Sequence, residues 1–328
     1  MITEKRARRK LLSIDILKAL AVILILNHRI RTSYGDFPML ATGGALGCAI
    51  FFFLSGYTLG SANITSFKSW IQRRLGRLIP SVLVIGFIAN YGSREVFSTT
   101  FLWFVHCIII YYILFYFIKR YIPTYMMHLE CGLGLLYAVG FIIDWHSLPS
   151  PYGSTVTKWF LYFLFFLAGA IVRQHPFSIT QRKCIFFGIM GPLILGAEML
   201  LRVMRNMNII SDYCLLLSPC LMLLGIMILF AALSGLDARA EQSSIARFFH
   251  PMIAFVAALS LEAYIGIGPV CSFLQHLLLP LFPLNIPLVM LGLLGFCYLL
   301  RVCTRFVLAL LSAQEEKLSW RYIFASFM

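Results

Sequence analysis

An all-α integral membrane protein, a bundle of about ten transmembrane helices, is the fold this sequence predicts, and three observations predict it. The first is composition: of 328 residues, 60% are hydrophobic and only 12% charged, with a mean hydropathy of +0.87. That is too apolar for a soluble domain of ordinary make-up. The second is the spacing of apolar runs near 12–30, 41–61, 78–93, 100–118, 131–145, 157–173, 184–202, 211–234, 251–275 and 284–311. Each approaches the roughly 20 residues that cross a bilayer as a helix. The third is charge asymmetry. With the N-terminus inside, 16 Lys and Arg fall in cytoplasmic segments before the last span and six fall outside. The positive-inside rule then places both termini in the cytoplasm.

The elements follow in order. Residues 1–11 are a basic cytoplasmic segment with Lys5, Arg6, Arg8, Arg9 and Lys10. The first run has no small-residue cleavage site and is interrupted by Asp15 and Lys18, so it reads as a retained helix rather than a signal peptide. Residues 41–61 form the second span. After it, Ser66 to Pro80 is amphipathic: at about 100° per residue, Phe67, Ile71, Leu75 and Leu78 share one arc with Trp70 at its border. The spans at 78–93 and 131–145 are the shortest, and the last run continues past Arg301 toward a cytoplasmic tail at 312–328. The hydrophilic gaps are short, so 1–328 reads as a single transmembrane domain. The net charge of +14 is a topology signal rather than a nucleic-acid footprint. Nine cysteines, odd in number and without Cys-x-x-Cys spacing, read as small core residues, and no metal-ligand pattern is present.

Ionisable groups inside apolar runs carry the functional signal, because each costs several kcal/mol in hydrocarbon. Asp15 and Lys18 lie three residues apart and either neutralise one another or serve a site. His28 stands about 15 Å further along the same helix, beyond their reach and at the outer edge. In the amphipathic segment, Arg74 falls inside the apolar arc and Arg77 beside Trp70, while Lys68 and Arg73 fall on the polar arc. Two arginines one turn apart, aimed into the bundle at the cytoplasmic face, suit a phosphorylated ligand, since the guanidinium fork matches phosphate oxygens. The alternative is an interfacial helix whose arginines snorkel to water.

Four blocks resemble the acyltransferase-3 family of membrane acyltransferases, which modify carbohydrates. These are Asp15-x-x-Lys18 with an apolar run ending at His28; Phe51-Phe-x-x-Ser55-Gly56; Arg74-x-x-Arg77-x-x-Pro80; and Trp103-Phe104 with Tyr112. They occur in family order across the first third of the chain. A later block, Ser260 to Tyr264 with Pro269, is similar to the family's late Ser-x-x-x-Tyr-Leu-x-His pattern. Two departures stand out. Lys18 and His28 are ten apart where the family usually has eleven, and the late histidine is Ile267.

The resemblance implies O-acyl transfer, typically of acetyl from cytoplasmic acetyl-CoA to a hydroxyl of a polysaccharide or glycolipid at the outer face of a bacterial plasma membrane. Acyl-CoA is then a donor substrate, with no permanently bound cofactor. Arg74 and Arg77, helped by Arg73, would hold the CoA phosphates, and His28 would act as general base or pass the acyl group. Asn27, Asp36 and Glu262 are the candidates to orient its other ring nitrogen. Lys18, with Asp15, would stabilise charge along the path, and Ser55, Trp103, Tyr112 and Glu262 would line it. The competing expectation is a multi-span transporter or flippase of a lipid-linked sugar. It lacks support from any repeat between the two halves of the chain.

Overall fold

The computed structural model describes residues 12–64, 66–90, 99–145, 155–176, 181–211, 214, 216–240, 244–266, 268–278 and 283–312. Among the described residues twelve α-helices follow one another: α1 Leu12–Arg29, α2 Gly44–Gly60, α3 Phe67–Asn90, α4 Thr99–Tyr121, α5 Met126–Trp145, α6 Thr155–Gln174, α7 Gln181–Asn206, α8 Leu217–Ala240, α9 Ser244–Ala258, α10 Ser260–Ile265, α11 Gly268–Leu278 and α12 Asn285–Ser312. Short 3-10 turns at Arg31–Tyr34 and Pro38–Leu40 lie between α1 and α2. The sequence-predicted spans fall on these helices, and the architecture is an all-α membrane bundle.

Among the described residues, seven helical stretches are long and apolar enough to cross a membrane: Pro38–Gly60, Trp103–Tyr121, Pro123–Ile143, Val156–Gln174, Lys183–Asn206, Leu217–Gly235 and Asn285–Leu310. The three remaining runs differ for identifiable reasons. The α1 helix carries Asp15, Lys18 and Arg29 within its length. The α3 helix fuses the basic amphipathic segment with the following apolar run, and Pro80 lies inside it. The run at 251–275 is not one helix: it breaks at Leu259 and again after Ile265, leaving a six-residue α10 between α9 and α11. Large apolar side chains cover the outside, including Leu83, Leu135, Ile143, Ile185, Leu193, Leu224 and Leu291, each at least half exposed. A surface of this kind belongs against lipid.

Small residues set the closest helix crossing. A Cβ on Gly56 would lie 1.7 Å from the Phe166 carbonyl oxygen, and one on Gly169 would lie 1.9 Å from that of Phe53. The α2 and α6 backbones therefore touch reciprocally, as small residues permit between membrane helices. Around this contact the large buried rings of Phe52, Phe53, Tyr111, Phe115, Phe165 and Phe166 form the main core. A second cluster joins α1 to α9, α11 and α12 through Val22, Leu26, Leu259, Cys271, Val289 and Leu293. Helix α1 thus sits inside the bundle, in contact with α2, α8, α9 and α10.

Breaking a helix in an apolar layer frees backbone groups that need partners. At the α9–α10 break, Arg301 of α12 donates to the Ala258 carbonyl and faces the Glu262 carboxylate at 3.8 Å. The start of α1 is closed by a side chain from another helix. Asp237 accepts from the Ser13 backbone N–H at 2.8 Å and from its hydroxyl at 2.7 Å, acting as an N-cap supplied by α8.

Candidate active site

Two polar centres lie at opposite ends of one face of α2. Gly44, Cys48, Phe51, Ser55 and Thr58 are spaced by three and four residues, so they form a single stripe along that helix. From Gly44 to Ser55 the stripe runs roughly 16 Å.

The outer centre is His28, exposed in the last turn of α1. Its ring lies against the first residue of α2, where a Cβ on Gly44 would come within 2.6 Å of ring carbons. Only glycine leaves room for the imidazole there. Nδ1 is 3.1 Å from the Ala41 carbonyl oxygen. A carbonyl accepts and cannot donate, so the neutral ring carries its proton on Nδ1 and presents the Nε2 lone pair outward. The loop bearing Ala41 is itself fastened. Asn27 Nδ2 donates to the carbonyls of Leu40 and Thr42, each at 3.0 Å, and the Tyr34 hydroxyl donates to Asn27 Oδ1. Burial pushes the Tyr34 phenol above its ordinary pKa, which keeps it a donor.

This corrects the sequence expectation for the partner of His28. None of Asn27, Asp36 and Glu262 orients the ring. Asn27 acts one step away, through the 40–42 loop; Asp36 is exposed in the turn beyond; and Glu262 faces Arg301 instead. A backbone carbonyl does the orienting.

The inner centre is a cavity of about 180 Å³ among α2, α3, α4 and α10. Phe51, Ser55, Thr58 and Leu59 line it from α2, Arg74 and Leu78 from α3, Phe104, Ile108 and Tyr112 from α4, and Leu261 from α10. Arg74 reaches the cavity because Trp70, fully buried one turn earlier, anchors α3. The indole N–H donates to the Tyr112 carbonyl at 3.1 Å, and the Arg74 guanidinium lies over the indole at 4.7 Å. The amphipathic phase read from the sequence thus places Arg74 inward. Arg73 is exposed, its Nε donating to the Ser69 carbonyl at 3.1 Å. The α3 backbone runs through position 77, but the Arg77 side chain lies outside the described residues.

Of the other sequence candidates, Ser55 and Tyr112 meet Arg74 in this cavity. Trp103 sits beside it, with ring centroids 6.1 Å from Phe104 and 5.7 Å from Tyr162. Lys18 and Asp15 are not among the lining residues. Lys18 is within electrostatic reach of Asp15 and Arg301, and Asp15 Oδ2 is 3.8 Å from His250 Nε2. Ile267, where the resembled family has its late histidine, lies outside the described residues.

Sequence reading missed three features near these centres. Lys119 donates to the carbonyls of Gly60 and Ala62 at 2.7 Å and Leu59 at 3.3 Å, capping α2 beside the Arg74 end of the stripe. Arg173 donates to the Tyr57 hydroxyl at 3.0 Å. Glu198, Arg202 and Ser218 form a buried cluster between α7 and α8: Arg202 donates to Glu198 and, at 2.6 Å, to the Ser218 hydroxyl, which donates to Glu198 at 2.7 Å. The i, i+4 spacing of Glu198 and Arg202 was visible in the sequence, but Arg202 read there as a charge outside the membrane.

A family model described as an acyltransferase domain matches residues 11–302. The chain is also similar to a peptidoglycan O-acetyltransferase, OatA, of Listeria monocytogenes, at 37% identity over 92 residues. That segment is 25% of this chain and 14% of the relative, so the chain spans only a small part of that protein's length. No solved structure matches the chain. With the family model covering most of its length and apolar helices building its bundle, this chain is a multi-pass membrane protein that belongs to the acyltransferase-3 family.

Proposed function

We propose that the protein transfers an acyl group, acetyl in the simplest case, from acyl-CoA on the cytoplasmic side to a carbohydrate hydroxyl at the outer face of a bacterial plasma membrane. The observation that carries this reading is the α2 stripe. It begins against the His28 ring and ends in a cavity that holds Arg74. Its length of roughly 16 Å suits an extended pantetheine arm. The arginine and Lys119 supply positive charge where the donor's phosphates would lie, and the largely apolar walls suit the arm. Arg77 stands on the same helix, one turn past Arg74, as a further donor contact.

In this scheme His28 Nε2 takes the proton of the acceptor hydroxyl while Nδ1–H stays hydrogen-bonded to Ala41. The hydroxyl oxygen forms a bond to the thioester carbonyl carbon, giving a tetrahedral oxyanion. Collapse breaks the C–S bond, and the thiolate recovers the proton from His28. Ester and free CoA leave on opposite sides. Lys18, half-buried along α1 near Asp15 and Arg301, tunes the potential of the path and holds no reacting atom. A lipid-linked sugar flippase would use the same bundle but leave the thioester intact. Purified protein in proteoliposomes, given radiolabelled acetyl-CoA with muropeptides or chito-oligosaccharides, separates the two. Label in the sugar is expected; movement of sugar with intact acetyl-CoA would overturn the enzyme reading.

A further inference from the structure

Between the two centres the stripe is blocked by three rings. Phe104 and Tyr264 are stacked, with centroids 4.2 Å apart and planes 22° from parallel. Phe51 closes on both, at 5.1 Å from Phe104 and 5.0 Å from Tyr264. Phe51 and Phe104 form the inner wall of the Arg74 cavity, and Tyr264 stands beyond them. Phe51 lies on the α2 stripe between Cys48 and Ser55, so the stack stands at the middle of the stripe, between the cavity and the His28 end.

Tyr264 is unusual among the three. It is 7% exposed, and among the described residues its hydroxyl makes no hydrogen bond of good geometry, only a weak contact with a thiol. Buried tyrosine hydroxyls are ordinarily satisfied, because an orphaned one costs about 1–3 kcal/mol. The Cys48 thiol lies beside it. Cys48 is one turn, roughly 6 Å, from Gly44 and hence from the His28 ring. Tyr264 is also carried on α10, the six-residue helix isolated by two breaks. Interrupted helices inside membrane proteins are tolerated where they line a cavity or a path, so the break fits a group held for a ligand.

We propose that Tyr264 is a catalytic residue of the transfer: with the Phe51–Phe104–Tyr264 stack parted, its hydroxyl donates a hydrogen bond to the carbonyl oxygen of the acyl thioester. The inference rests on the donor path proposed above. As the acceptor oxygen adds to the carbonyl carbon, the carbonyl oxygen becomes an oxyanion, and a donor fixed there in a dry site stabilises it more than it stabilises the ground state. Tyr264 gives up no proton in the step; His28 alone carries the proton from hydroxyl to thiolate. The same ring that closes the stack thus supplies the oxyanion donor once the stack has parted.

The test is Tyr264→Phe, which keeps the ring and its stacking and removes only the unsatisfied oxygen. A tyrosine that merely packs would be replaced without loss, and the fold would be as stable or more so. The expected result is a kcat lower by about 100-fold, the scale of removing one oxyanion donor. The KM for acetyl-CoA and equilibrium binding of acetyl-CoA should stay within about threefold of wild type. Binding at wild-type strength also reports that the variant is folded. A Tyr264→Phe protein with kcat within threefold of wild type would overturn the proposal while leaving the donor path standing. If the wild-type protein itself neither binds nor turns over acetyl-CoA, the donor path falls and this role of Tyr264 falls with it.

Discussion

His28 owes its orientation to an atom that no side-chain pattern encodes. Its position at the end of an apolar run reads as the outer end of a helix, and a neutral ring needs one nitrogen held so that the other can accept. The structure holds Nδ1 with the Ala41 carbonyl and fixes that carbonyl through Asn27 and Tyr34. Backbone carbonyls are common to every residue, so this contact was illegible until the 40–42 loop was folded. Arg74 was legible, because its phase on an amphipathic helix was enough to aim it inward beside Trp70. Two predictions belong here. His28→Ala and His28→Gln should insert normally yet lose acyl transfer by about 100-fold or more, the low end for removing a general base; glutamine separates hydrogen bonding from proton transfer. Near-normal transfer by His28→Gln, at equal membrane levels, would reduce His28 to a structural residue. Arg74→Lys keeps the charge and loses the fork, so the KM for acetyl-CoA should rise about tenfold with insertion unchanged. Arg73→Lys, on the exposed face, should change it little. Equal effects at both positions would mark the helix as an interfacial anchor instead.

At the level of elements, α2 is the organising helix, and its sequence says why. Glycine at 44 admits the His28 ring, glycine at 56 admits the α6 backbone, and the stripe from Cys48 to Thr58 faces the path. Gly56→Ala would place a methyl 1.7 Å from the Phe166 carbonyl oxygen, a contact relieved only by moving a helix. It should lower stability in detergent by roughly 1–3 kcal/mol, the usual range for overpacking. Gly76→Ala is the control: nothing lies within 4 Å of a Cβ there, and alanine should be neutral or stabilising by up to about 1 kcal/mol on helix propensity. Indistinguishable melting curves for the two variants would contradict the α2–α6 contact. The long helices were legible as apolar runs of spanning length. The division of 251–275 into α9, α10 and α11 was not. Residues 252–265 carry no proline and a single charge, Glu262, so neither hydropathy nor a breaker residue announces the turn at Leu259, whereas Gly266, Gly268 and Pro269 are breakers at the second turn that the apolar character of the run masked. The turn at Leu259 depends on Arg301, more than 40 positions away, to satisfy the freed Ala258 carbonyl.

For the whole molecule, composition fixed the class, because a chain this apolar has no soluble alternative, and the exposed leucine and isoleucine side chains of the bundle agree. Seven described helices meet the length and composition of a span, and the ten-span arrangement with cytoplasmic termini remains our proposal, resting on the charge asymmetry. In a cysteine-free background, Asp36→Cys should react with an impermeant thiol reagent applied outside intact cells, and Ser243→Cys should not. External labelling of Ser243→Cys would invert or renumber the topology. In the proposed mechanism one path links a cytoplasmic donor to an outer acceptor. Its most direct test is vectorial transfer in proteoliposomes of known orientation, with radiolabelled acetyl-CoA sealed on the Arg74 side and muropeptides or chito-oligosaccharides supplied only on the His28 side. Labelled sugar on the His28 side, abolished by His28→Gln, is the expected result. Transfer only when donor and acceptor share one side of the membrane would contradict the claim.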